Sequence, residues 1–168
     1  MITHLGCIMD GNRRWALQRG LPSWRGHQEG IEALKRTVDF CLQKKISHLS
    51  LYLFSLENFK REPQEKQFLF DLFLSATCAA LVQECIAKKV RIVFIGDQMQ
   101  FPESLRTTID DIQMRTTEGA ALVVYLLFCY GGQQEIVAAV QQIAADIAAK
   151  KILPNQINKD LFEQYVWM

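Results

Sequence analysis

A carboxylate, a glycine, an amide and two guanidinium groups stand in immediate succession at Asp10-Gly11-Asn12-Arg13-Arg14, closed by Trp15. Arginine side chains beside the backbone N–H groups of a helix start make a site for a phosphate or diphosphate. A carboxylate among bound phosphates repels them unless a cation such as Mg²⁺ bridges the two. Asp10 therefore has two readings of equal weight from spacing alone: a metal-binding carboxylate, or a turn residue paired with Arg13 or Arg14. Two further clusters share this character. Trp24-Arg25-Gly26-His27 adds a cation and an imidazole in a loop before the next helix. Phe54-Ser55-Leu56-Glu57-Asn58-Phe59-Lys60-Arg61 gathers a hydroxyl, a carboxylate, an amide and cations. Tyr130-Gly131-Gly132-Gln133 is a weaker fourth. Taken singly each would be a solvated loop, and it is their recurrence that argues for a site. No P-loop, G-x-G-x-x-G or G-x-S-x-G elbow is present.

The elements that must position these clusters follow from periodicity. Nearly continuous apolar runs at 5–9, 49–54, 90–95 and 122–128 read as strands buried on both faces. Between them, Ile31, Leu34, Val38 and Leu42 mark a helix over about 28–45. Leu105, Ile109 and Ile112 mark one from about Glu103, after Pro102, and the apolar positions from Ile136 to Ile147 one over about 133–150. A last helix begins near Asn158. Alternation of this kind implies an α/β fold with an open, mostly parallel sheet flanked by helices. Ligands bind such a sheet beyond the carboxyl ends of its strands, where the first, second and fourth runs end in the polar clusters.

Segment 68–82, FLFDLFLSATCAALV, is apolar on nearly the whole circumference of a helix. Its second face needs cover, either from another helix or subunit or from a hydrocarbon ligand in a tunnel that it lines.

Composition bounds the remainder. At 168 residues and 49% hydrophobic, the chain fits one domain, 1–168, able to bury roughly 70% of its unfolded surface. A net charge of +1 argues against nucleic-acid binding, which needs an excess of basic residues to neutralise phosphates. Five scattered cysteines without a C-x-x-C pair suit a reduced, cytoplasmic protein. The first residues lack a signal peptide's pattern, and the longest apolar run, 120–130, is short of the roughly 18 residues of a membrane helix.

Met9-Asp10-Gly11-Asn12-Arg13-Arg14-Trp15-Ala16, with Gly26-His27 and Tyr52-Leu53-Phe54-Ser55-Leu56-Glu57-Asn58-Phe59, resembles the cis-prenyltransferase family, most of all its bacterial undecaprenyl diphosphate synthases. Arg91-Ile92-Val93-Phe94-Ile95-Gly96-Asp97 and Tyr130-Gly131-Gly132 extend the resemblance over essentially the whole chain. It implies an α/β domain with a hydrophobic tunnel that condenses farnesyl diphosphate with isopentenyl diphosphates, using Mg²⁺, to a Z-polyprenyl diphosphate. That lipid carries cell-wall precursors in bacteria; the resemblance implies a homodimer as well, and the lipid product implies peripheral membrane contact. By motif, Asp10 would act in catalysis, handling Mg²⁺ and the diphosphate. Asn12, Arg14 and His27 would hold the allylic diphosphate, which the backbone from Gly11 to Arg14 cradles, with Arg13 and Trp15 also binding substrate. Ser55, Glu57, Asn58, Phe59 and Arg61 would belong to a loop closing over the substrates, Asn58 acting in catalysis on the incoming unit. Segment 68–82 would then be a tunnel wall, Leu53 would face the tunnel, and Leu53, Phe70, Phe73 and Leu74 would bear on product length.

The chain departs from the family pattern at Ser23, where a basic residue is common and Arg25 is the nearby substitute, and at Cys129 and Gln133, where Asn and Arg are common. The family also continues past the position of Met168 with arginines and a serine for isopentenyl diphosphate, a metal-binding Glu and much of the dimer interface, so the domain is expected to be C-terminally incomplete. The competing expectation is a non-catalytic prenyl-diphosphate-binding or partner subunit, or an inactive fragment. An unrelated phosphohydrolase is a third.

Overall fold

The computed structural model describes residues 2–56, 63–101 and 103–167, without the side chains of residues 63, 65, 66, 73 and 76–78. Glu57, Asn58, Phe59, Arg61 and Pro102 lie outside the described residues. Four strands, β1 (His4–Ile8), β2 (His48–Ser55), β3 (Val90–Ile95) and β4 (Leu122–Tyr130), form one sheet in the order β1-β2-β4-β3, every pair parallel. Parallel neighbours need long crossovers, and helices supply them. These are α1 (Asn12–Leu17), α2 (Ser23–Gln43), α3 (Pro63–Leu74), α4 (Ala76–Ala87) and α5 (Glu103–Thr116), followed by α6 (Gly132–Ala148) and α7 (Lys159–Glu163). The expected strands are all present, each within two residues of its expected ends, because each is an uninterrupted apolar run.

Side-chain alternation sends Leu49, Leu51, Val90, Ile92, Leu122, Val124 and Phe128 to one face of the sheet. There they join Val38 and Cys41 of α2, Val82 and Cys85 of α4, and Leu105, Ile109 and Ile112 of α5 in the main core. Phe54, Phe70, Phe101 and Phe128 pack their rings at 5.3–5.9 Å centroid separations within it. Ile95 and Leu127 turn the other way and are buried outside that cluster, as are Ala139 and Ile143 of α6.

Two expectations are corrected. Segment 68–82 is not one helix: α3 ends at Leu74 and α4 starts at Ala76. The Ser75 hydroxyl donates to the Leu72 carbonyl at 2.6 Å, and the Ser75 N–H bonds the same carbonyl at 3.3 Å. This tightened turn breaks the run of i→i−4 bonds. The second correction concerns Trp24-Arg25-Gly26-His27, which is not a loop but the opening of α2, started after Pro22. Gly26 is tolerated there because a Cβ on it would sit 2.0 Å from the Asn12 carbonyl oxygen, so the close approach of α1 demands glycine.

Candidate active site

The site begins where β1 gives out. Met9 N–H still pairs with the Tyr52 carbonyl at 3.1 Å, and the chain then turns at Gly11, whose φ of 101° lies in the left-handed region that glycine enters without strain. Gly11 is the N-cap of α1, and its N–H donates to Asp10 Oδ1 at 2.6 Å. Arg14 Nη2 donates to Asp10 Oδ2 at 2.8 Å, with both side chains about three-quarters exposed. The turn therefore places one carboxylate, one guanidinium and the first N–H groups of a helix together at the end of a parallel strand.

Asn12 is wedged between the two helices. A Cβ on Gly30 would lie 2.9 Å from Asn12 Nδ2, so Gly26 and Gly30, one turn apart on α2, shape the bed for the Asn12 backbone and side chain respectively. His27, between them in sequence, is half-buried, its ring 6.4 Å from that of Phe68. Asn12, Arg13, Arg14 and His27, with Asp10 and Gly11, line the mouth of a cavity of about 540 Å³.

Behind this mouth the lining is apolar. Ile31, Leu34 and Val38 come from α2, and Leu53, Ile92, Phe94, Val124 and Leu126 from the core face of the sheet. Leu69 and Leu72 come from α3, Leu81, Val82 and Cys85 from α4, and Ile112 from α5. The volume is that of a small-molecule site, with charge confined to one end. A molecule with an anionic head and a hydrocarbon tail has matching surroundings along its whole length.

The expected site residues divide accordingly. Asp10, Gly11, Asn12, Arg13, Arg14 and His27 converge, and Leu53 faces the cavity. Trp15 does not line it: one helical step from Arg14 it turns away, with the Arg19 guanidinium 4.3 Å from its ring centre. Arg25 lies over Trp24 at 4.7 Å and is likewise no part of the lining. Ser55 ends β2 opposite Tyr130, also outside the lining. Phe70 packs into the aromatic core and Leu74 is exposed, while their neighbours Leu69 and Leu72 take the cavity side. The Phe73 side chain lies outside the described residues. Gly30 and the wall from α2, β3, β4 and α5 were not singled out from sequence. The helical spacing of Ile31, Leu34 and Val38 was visible, but core packing accounts for it equally well.

The cluster at the end of β4 is satisfied internally. Tyr130 Oη donates to Glu135 Oε2 at 2.6 Å, Trp167 N–H donates to Glu135 Oε1 at 2.6 Å, and Tyr52 Oη donates to the Tyr130 carbonyl at 3.2 Å. Burial, then the Glu135 hydrogen bond, raise the Tyr130 phenol above its usual range. Next to it, Cys129 is fully buried with a φ of 52°, and burial followed by the Asp97 charge pushes its thiol up to about 12. Neither lines the cavity.

A parallel α/β sheet thus carries a cationic turn at one strand end and a hydrocarbon-lined cavity behind it. The chain belongs to the prenyltransferase family described as putative undecaprenyl diphosphate synthase, whose model matches residues 8–168. It is 39% identical over 163 residues to the farnesyl-diphosphate-specific ditrans,polycis-undecaprenyl-diphosphate synthase of Xanthomonas axonopodis pv. citri, covering 97% of this chain and 63% of that protein. It is 37% identical over 165 residues to the geranylgeranyl-diphosphate-specific tritrans,polycis enzyme of Thermoplasma volcanium, covering 98% and 64%. The chain thus spans under two-thirds of the length of these curated relatives. Among solved structures, lavandulyl diphosphate synthase from Lavandula x intermedia, in complex with dimethylallyl diphosphate, superposes with a TM-score of 0.89 at 29% identity, over 98% of this chain and 70% of that one. A probable undecaprenyl diphosphate synthase from Campylobacter jejuni gives 0.73 at 27% identity, over 100% and 70%.

Proposed function

We propose that residues 1–168 form the N-terminal two-thirds of a prenyltransferase catalytic domain, and that this domain joins farnesyl diphosphate to successive isopentenyl diphosphates, giving a Z-polyprenyl diphosphate of the undecaprenyl type. The observation that carries this reading is a cavity that joins a cationic mouth to an apolar interior. In the reaction the allylic C1–O bond breaks and its electron pair leaves with the diphosphate. The isopentenyl double bond supplies the pair for the new C–C bond, and a proton passes from the adjacent carbon to the departing diphosphate. Arg13 and Arg14 meet the charge that develops on the departing oxygens, as preorganised donors do at low reorganisation cost. Asn12 and His27 fix the head group. The apolar wall holds the tail away from water and gives the growing chain its room.

Asp10 suits Mg²⁺, which takes hard oxygen ligands and is commonly held by one or two carboxylates with substrate phosphates and water completing the shell. No cluster of three ligating side chains occurs among the described residues, and within residues 1–168 this reading assigns Asp10 as the carboxylate that would hold the ion. Held there, Mg²⁺ would supply positive charge against the diphosphate. We place the protein in the cytoplasm as a homodimer that meets the membrane through its lipid product and supplies the carrier for cell-wall synthesis. Cys7, Cys41, Cys85 and Cys129 are unbridged, and no described helix is long and apolar enough to cross a membrane.

The test is incubation with farnesyl diphosphate, labelled isopentenyl diphosphate and Mg²⁺. Label in butanol-extractable products longer than farnesyl is expected, and Asp10→Ala should abolish it with the circular dichroism spectrum unchanged. An unaffected rate in that variant would sink the assignment of Asp10. Binding of farnesyl diphosphate without elongation would show that residues 1–168 hold the allylic site alone. Release of inorganic phosphate without a longer product would make it a phosphohydrolase.

A further inference from the structure

From Asn12 to Gln28 the chain carries four arginines, Arg13, Arg14, Arg19 and Arg25, and no carboxylate. The net charge of the whole chain is only +1, so the remainder is net acidic and this stretch is a local concentration of positive charge. It folds as a hairpin, α1 packed on the opening of α2, with the Leu21 N–H closing the turn on the Ala16 carbonyl at 2.9 Å. Among the described residues neither Arg19 nor Arg25 forms an ion pair. Each lies over a tryptophan, Arg19 on Trp15 and Arg25 on Trp24.

Apolar side chains stand exposed between these cations: Leu17 at 78%, Leu21 at 39% and Trp24 at 38% of their accessible surface. Leu17 also lines the cavity mouth beside Arg13 and Arg14, so the patch is continuous with the opening through which a hydrocarbon chain would pass. Leucine and tryptophan flanked by arginine is the composition that beds into the boundary between lipid head groups and acyl chains, where the cations face anionic heads. A nucleic acid would use the charge but not the exposed leucines.

We propose that the α1–α2 hairpin, from Leu17 to Arg25, is a docking surface for an anionic lipid bilayer, and that it turns the cavity mouth toward the membrane. The orientation rests on the reading of the cavity as a prenyl site; the docking itself rests on the patch. Arg19, Leu21 and Arg25 lie outside the cavity lining and serve as probes. The experiment is co-sedimentation of the full chain with vesicles of phosphatidylcholine alone or mixed with phosphatidylglycerol, at low and high salt. Binding to the anionic vesicles that weakens with salt is expected. R19Q/R25Q should bind roughly twenty-five-fold more weakly, from about fivefold per arginine near a charged membrane surface, and Leu21→Ser more weakly as well. In both variants farnesyl diphosphate binding, read by isothermal titration, should match that of the parent chain, which separates failure of docking from failure of the prenyl site. Equal binding to neutral vesicles, anionic binding unchanged in R19Q/R25Q, or binding to an RNA oligonucleotide as tight as to the anionic vesicles would each overturn the proposal.

Discussion

Gly26 and Gly30 face Asn12 from adjacent turns of one helix, yet they are expected to fail in different ways. Alanine at 26 drives its methyl into the Asn12 carbonyl, a backbone atom that cannot step aside. Alanine at 30 meets the end of the Asn12 side chain, which can rotate. Gly26→Ala should therefore lower unfolding stability by about 2–3 kcal/mol, the scale of overpacking. Gly30→Ala should cost less than about 1 kcal/mol while weakening farnesyl diphosphate binding severalfold by displacing Asn12. Urea melts and titration calorimetry on both variants check this, and equal destabilisation would refute the division of roles. Cys129 gives a second prediction. The unfolded chain releases a thiol proton near pH 8.5, whereas the buried Cys129 holds it to about 12. Its contribution to stability is thus complete below about pH 8.5 and declines as pH rises toward 12, by up to about 1.4 kcal/mol per pH unit. Tyr130, raised as well, adds to the decline above its ordinary range. The urea midpoint should fall between pH 8 and pH 10, and Cys129→Ala should flatten that fall; an identical slope in the variant would show that other groups cause it. At this scale the convergence of Asp10, Asn12, Arg14 and His27 on one cavity was legible because they sit in two short runs, one joining a strand end to a helix start and the other opening a helix. Gly30 could not, since its role lies in the space it leaves for another residue. Nor could the turning away of Trp15, which depends on where a six-residue helix points its successive side chains.

The walls of the cavity are a property of elements. β2 and α3 face each other across it, contributing Leu53 on one side and Leu69 and Leu72 on the other. Leu72→Trp adds bulk to that gap and should shorten the longest product by one or more five-carbon units, while Leu53→Ala removes bulk and should lengthen it. Thin-layer chromatography of dephosphorylated products reads both, and a product distribution unchanged in both would place the growing chain elsewhere. The strands could be located from sequence because each parallel strand buried on two faces is an unbroken apolar run. Their order could not, because crossover connections leave no trace in composition. The break at Ser75 escaped for a related reason. Nothing in FLFDLFLSATCAALV interrupts helical periodicity, and only the hydroxyl bond to Leu72 shows that serine ends one helix and begins another. Because of that break, which residues of 68–82 face the cavity had to be seen rather than counted: Leu69, Leu72, Leu81 and Val82 do, Phe70 and Leu74 do not.

On the scale of the whole molecule, the cationic mouth and the apolar interior belong to the same cavity but to different parts of the chain. The first twenty-seven residues furnish the mouth, while the interior draws on everything from α2 to β4. A ligand spanning both would couple the amino-terminal turn to the core, and this coupling can be read as stability, since a ligand that binds only the folded state adds RT ln(1 + [L]/Kd). At one hundred times its Kd, farnesyl diphosphate with Mg²⁺ should add about 2.7 kcal/mol, which for a chain of this size is a rise in Tm of roughly 5–10 °C. At the same concentration, inorganic diphosphate reaches only the mouth and farnesol only the interior, and each should give a distinctly smaller shift. Asp10→Ala should lose the part of the farnesyl diphosphate shift that depends on Mg²⁺ and keep the part given by farnesol. Scanning calorimetry of the parent chain and this variant with the three ligands provides the comparison. If farnesol alone matched farnesyl diphosphate, the Asp10–Arg14 turn would contribute nothing to recognition and the apolar cavity would be a general lipid site. If inorganic diphosphate matched it, the tail would lie outside the cavity, and the assignment of its wall to the hydrocarbon would fall.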